Sequence, residues 1–133
     1  MAPTDQPQPT LVIVENNEAM CELVREVAKE LGFRTRCFHS GDQFLETPDA
    51  LHSDVLVLDL NMPGKNGIAV LEELAKHQPE TAIYLFSGAD SAVLDAVRNN
   101  GWANALRMRG AIQKPVRSKQ LREILSRALP STA

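Results

Sequence analysis

The chain has 133 residues, a formal net charge of −3 and 44% hydrophobic residues, enough for one domain with a single buried core that needs neither disulfides nor a structural metal. Both charge signs are mixed along it without a basic stripe, which argues against nucleic-acid binding, and no apolar run reaches the roughly 18 to 20 residues that span a bilayer, so no membrane partner and a cytoplasmic location are expected. Cys21, in an expected helix, and Cys37, in an expected strand, are too few and too scattered for a zinc set or a disulfide framework, and read as small apolar residues.

Residues 1–10 carry three prolines and no apolar periodicity and read as a disordered leader, leaving residues 11–129 as the working domain and 130–133 as a frayed tail. Leu11-Val12-Ile13-Val14 is a continuous apolar run of the kind found in a strand covered on both faces. Ala19, Met20, Leu23, Val24, Val27 and Leu31 then recur at helical spacing, and Gly32 supplies the positive φ that closes such a helix. Arg34 to Phe38 alternates polar and apolar residues, which suits an edge strand, and a short helix is expected over Gly41 to Leu45.

A second run, Val55-Leu56-Val57-Leu58, precedes a helical pattern in Ile68, Leu71 and Leu74. The third, Ala82 to Phe86, precedes an expected fourth helix through Val93, Leu94, Val97 and Leu106. The shorter Ala111-Ile112 leads into a last helix marked by Leu121, Ile124, Leu125 and Ala128, with Ser118 placed to cap it. Strands alternating with helices in this way predict a doubly wound parallel α/β sheet.

The polar residues that interrupt this pattern share one position. Glu15-Asn16 follows the first run, Asp59 the second, Ser87 the third and Lys114 the last. In an open parallel sheet the strand C-termini line one edge, where ligands bind. A carboxylate, a hydroxyl and an ammonium gathered there suit a phosphoryl group, with Asp59 as nucleophile and Ser87 and Lys114 on the phosphoryl oxygens.

Asp54 to Asp59 followed by Leu60-Asn61-Met62-Pro63-Gly64-Lys65-Asn66-Gly67 resembles the phosphoacceptor strand and loop of response regulator receiver domains. Ser87-Gly88 and Lys114-Pro115 resemble that family's hydroxyl-plus-small and Lys-Pro pairs, the latter usually joined by a cis bond, and the likeness runs from Leu11 to about Ala128. It implies a flavodoxin-like, five-stranded parallel sheet in the order 2-1-3-4-5 flanked by five helices. It also implies phosphoryl transfer to Asp59 from a histidine kinase or histidine phosphotransfer protein, with Mg²⁺ held by Glu15, Asn16, Asp59 and the Asn61 backbone carbonyl.

Two positions depart from the family pattern. Asn16 stands where the second of two acids is usual, and a hard divalent cation prefers carboxylate to amide oxygen, so Mg²⁺ binding is expected to be weakened. Ala111, three residues before Lys114, replaces the usual aromatic switch residue.

The expected role is signalling rather than enzymatic turnover. With no output domain in view, the signal would pass to a downstream protein through the fourth helix, fifth strand and fifth helix, through a homodimer, or by onward relay. The rival is a phosphorylation-independent pseudo-receiver serving as an interaction module, supported by Asn16 and Ala111. A phosphatase of related fold would need a second carboxylate where Asn61 stands, and Gly64-Lys65-Asn66-Gly67 lacks the spacing of a phosphate-cradling P-loop. Trp102 serves equally as a core or an interface anchor; His39, His52 and Met62 read as structural or solvated.

Overall fold

The computed structural model describes residues 8–60, 67–77, 79–87 and 105–129. Its strands are β1 (Thr10–Val14), β2 (Arg34–Phe38), β3 (Val55–Asp59), β4 (Ala82–Ser87) and β5 (Arg107–Gln113); its helices are α1 (Glu18–Glu30), α2 (Gly41–Leu45), α3 (Gly67–Ala75) and α4 (Ser118–Ser126). The strands form one parallel sheet in the order β2-β1-β3-β4-β5. Four helices are therefore described where five were expected, and the segment around Val93, Leu94, Val97 and Trp102 lies outside the described residues. Leu106, assigned from sequence to that helix, instead immediately precedes β5 and is buried in the core.

The continuous apolar runs form the three central strands, and alternation along them divides the core in two. Val12, Val14, Leu56, Leu58, Ile83 and Leu85 face Val70, Leu71 and Leu74 of α3 and Phe44 of α2. Leu11, Ile13, Val55, Val57, Tyr84 and Phe86 face Val24 and Val27 of α1 and Leu121 and Leu125 of α4. Each fully buried leucine contributes about 2 kcal/mol by its removal from water. Arg122 of α4 also pairs with Glu30 of α1 across this layer.

Local chemistry sets the helix ends. Asn17 caps α1 by accepting the Met20 N–H at 3.0 Å. At the other end Gly32, with φ +100°, lets its own N–H reach the Lys29 carbonyl and the Phe33 N–H reach that of Ala28. The last helix departs from expectation: its cap position is Arg117, which makes no side-chain capping bond, and Ser118 lies inside the helix. The first strand begins at Thr10, one residue before the boundary read from sequence.

β2 is an edge strand, as its polar alternation predicted. The other edge, β5, is longer than Ala111-Ile112 suggested and contains a bulge: Ile83 pairs with Met108 but Tyr84 with Gly110, so Arg109 is extra. The bulge reverses the alternation. Leu106 and Met108 pack with the α2/α3 layer, whereas Ile112, of the same parity, packs with the α1/α4 layer.

Candidate functional site

Register brings the two acids together. Ile13 pairs with Val57 and Val14 with Leu58, so the next residues, Glu15 and Asp59, are neighbours on adjacent parallel strands. Both continue the row that faces the α1/α4 layer, and both are almost wholly buried, at 0% and 3% exposure. Lys114 follows β5 in the phase set by the bulge, which turns it toward the same layer. Its Nζ lies 2.6 Å from Glu15 Oε1 and 3.3 Å from Asp59 Oδ2, and 5.4 Å from the centre of the Phe86 ring. Were Arg109 counted in simple alternation, with no bulge to absorb it, Lys114 would aim at the opposite face.

The charges shape one another. Burial pushes the Glu15 carboxyl above the usual carboxylate range, and the Asp59 carboxyl beside it pushes the same way; Lys114 and the Asn17 N–H oppose them. Burial alone would lower the Lys114 ammonium, but Glu15 and Asp59 outweigh it, and the net shift is upward. The cluster is thus two carboxylates held by one cation, in surroundings where losing the cation would strand buried negative charge.

The other expected site residues stand as follows. Asn16 is exposed at the mouth between β1 and α1. Ser87 ends β4 and pairs with Gln113, while its side chain, like the whole of Asn61, lies outside the described residues. The Lys114–Pro115 bond is cis. Glu15 and Asp59 offer oxygen donors only, a set of the right kind for a hard divalent cation.

Several neighbours went unread in the sequence. The Glu15 backbone carbonyl accepts from Cys21 Sγ at 3.2 Å and lies 3.1 Å from His39 Nδ1, while His39 Nε2 sits 3.3 Å from Glu18. His39 follows the C-terminal end of β2, so the strand-end rule that picked out the other four positions would have found it too. Gly67 matters through lack of space: a Cβ there would meet Leu60 Cα at 2.6 Å and the Asp59 carbonyl oxygen at 2.9 Å. Ala111 is exposed on β5. A cleft of about 550 Å³, lined in part by Asp54, Arg107, Arg109 and Arg127, lies at the opposite end of the sheet from these acids.

No described helix is long and apolar enough to cross a membrane. The sensor kinase/phosphatase LuxN of Vibrio campbellii is 29% identical over 117 residues, covering 88% of this chain and 13% of that protein. The positive alginate biosynthesis regulatory protein of Pseudomonas aeruginosa is 29% identical over 120 residues, covering 89% of this chain and 46% of its own length. The chain therefore spans less than half of either relative. A response regulator from Colwellia psychrerythraea superposes with a TM-score of 0.75 at 26% identity, covering 91% of this chain and 96% of its own. Residues 11–126 match the response regulator receiver domain family, and with the sheet order and strand-end residues described above, the chain belongs to that family.

Proposed function

We propose that this receiver domain accepts a phosphoryl group on Asp59 from a phosphohistidine of a histidine kinase or phosphotransfer protein and passes the signal to a partner. The observation that carries this reading is the Glu15–Lys114–Asp59 cluster, which puts a nearly buried carboxylate beside an ammonium able to follow a phosphoryl group. An Asp59 carboxylate oxygen attacks phosphorus as the phosphorus–nitrogen bond breaks, and the departing imidazole takes up a proton. The product is an acyl phosphate on Asp59, and Lys114 moves from the carboxylates toward the phosphoryl oxygens, with Ser87 as the hydroxyl donor. Glu15, Asn16, Asp59 and the Asn61 carbonyl would hold Mg²⁺, which when bound supplies positive charge against those oxygens. Asn16 brings no charge to this set, so a higher Mg²⁺ requirement is expected.

The signalling face would include β5 and α4, where Arg109 and Gln113 are exposed beside Ala111. With an alanine in place of the aromatic switch, transmission would rest on backbone and helix movement rather than on ring rotation. A second reading, a pseudo-receiver that works without phosphate, draws on Asn16 and on the bond from Lys114 to Glu15 being shorter than that to Asp59.

Incubation with acetyl phosphate over a Mg²⁺ series, followed by intact mass spectrometry, separates the two. Gain of one phosphoryl group, rising with Mg²⁺ and absent in Asp59→Ala, supports the first. Folded protein that gains none at any Mg²⁺ concentration supports the second.

A further inference from the structure

Cys21 and Cys37, which looked scattered in the sequence, meet in the fold. Cys21 lies on the buried face of α1 and Cys37 on the edge strand β2, opposite Ile13 of β1, and their Sγ atoms are 2.6 Å apart. They are the chain's only cysteines, so each has one intramolecular partner. Two thiolates on a tetrahedral zinc ion would stand roughly 3.8 Å apart, given zinc–sulfur bonds of about 2.3 Å. A sulfur–sulfur bond needs about 2.05 Å. The observed separation is nearer the bond.

The two thiols are not equivalent. Cys21 is wholly buried, while Cys37 is half-buried at the sheet edge. Burial raises both thiol pKa values; at Cys21 the neighbouring Cys37, Glu15 and Glu18 raise it further, whereas at Cys37 the Cys21 thiol and Arg25 pull the other way. Cys37 is thus the sulfur that solvent reaches, with Cys21 directly behind it.

We propose that Cys21 and Cys37 form an oxidisable dithiol, a modification site at which a peroxide produces a disulfide that ties helix α1 to edge strand β2. The Cys37 thiolate attacks one peroxide oxygen, the O–O bond breaks, and the departing oxygen leaves as water with the proton lost from Cys37. The resulting Cys37 sulfenic acid is attacked by the Cys21 sulfur: the S–S bond forms, the S–O bond breaks, and hydroxide leaves with the Cys21 proton as a second water. Two thiols lose two electrons and one peroxide becomes two waters. The cross-link removes the S–H that the Glu15 carbonyl accepts at 3.2 Å, while His39 Nδ1 stays 3.1 Å from that oxygen. The site therefore lies one bond network behind the Glu15–Lys114 pair.

The test uses the full chain, fully reduced and then treated with hydrogen peroxide. Intact mass should fall by the mass of two hydrogens, both thiols should disappear together on titration under denaturing conditions, and peptide mapping should join the Cys21 and Cys37 peptides. Dithiothreitol should restore both thiols. In Cys21→Ser, Cys37 should stop at the sulfenic acid, which a dimedone probe captures. Thiols that oxidise independently to sulfinic acids, or cross-links only between chains, would overturn the proposal. So would a one-to-one Zn²⁺ complex of the reduced protein that blocks peroxide cross-linking, because Cys21, Cys37 and His39 would then be a metal site.

Discussion

Two aspartates bracket the third strand. Asp54 stands just before β3, exposed, and Asp59 closes it, almost wholly buried. Asp54 Oδ2 accepts the Thr10 N–H at 2.8 Å and the Thr10 hydroxyl at 3.3 Å, while the Asp54 N–H bonds that hydroxyl at 3.1 Å. It stitches the start of β1 to the start of β3. Asp59 instead shares the Lys114 ammonium with a second buried carboxylate. The same side chain, five residues away, is a brace at one end of β3 and the proposed phosphoacceptor at the other. The difference lies in desolvation and like-charge neighbours.

Moving Lys114 out of the cluster should break the comparison most severely. Inserting one residue between Gly110 and Ala111 shifts the alternation by one and forces either Ile112 and Lys114 or Leu106 and Met108 onto the wrong face. A loss on the order of 3 kcal/mol or more in urea unfolding is expected from the misplaced apolar surface. A stability within error of the parent chain would show that the phase of β5 does not set the facing of Lys114.

Lys114→Met should be milder, a loss of about 2 kcal/mol near neutral pH, because Lys114 is 29% exposed and Glu15 can relieve the stranded charge by keeping its proton. The pH dependence identifies the cause. Glu15 binds its proton more tightly folded than unfolded, so its contribution to stability falls as pH rises from about 4.5 through its raised folded value. In Lys114→Met that decline should extend to higher pH, and in Glu15→Gln it should vanish. Lys114 itself contributes stability that is complete below 10.5 and lost as pH climbs through its raised folded value. Urea unfolding at a series of pH values reads each slope, and an unchanged slope in Glu15→Gln would remove Glu15 as the source.

Gly67→Ala should cost about 1 to 3 kcal/mol, since the new methyl meets backbone rather than a flexible side chain. It should also slow phosphoryl uptake by shifting the Asp59 carbonyl. The smallest effect is expected from Asp54→Ala, about 1 kcal/mol or less of stability from its exposed hydrogen bonds, with uptake unchanged. Loss of uptake in folded Asp54→Ala would erase the distinction between the two ends of β3.

Much of this was legible in the residues. The continuous runs at Leu11, Val55 and Ala82 suited strands covered on both faces, and with the shorter Ala111-Ile112 run they set the layers and put Glu15, Asp59 and Lys114 at one edge. The bulge was not legible, because Arg-Met-Arg-Gly-Ala has no pattern that distinguishes an extra residue from simple alternation, and the facing of Lys114 depends on it. Nor was the approach of Cys21 to Cys37, which depends on how α1 crosses the edge strand. Ser118 looked like a cap because serine often is one, but the chain leaves the Lys114–Pro115 turn with Arg117 in extended backbone, and the helix starts at Ser118, a residue earlier than a Ser118 cap would place it.

The most direct measurement of the central claim locates the phosphoryl group. Protein treated with acetyl phosphate and Mg²⁺ is reduced with borohydride, which converts an aspartyl phosphate to homoserine, and the positions are read by tandem mass spectrometry. Homoserine at position 59 and none at 54 is the predicted result. Homoserine at position 54, or at neither position in protein that has gained phosphate, would contradict the assignment of Asp59 as the phosphoacceptor.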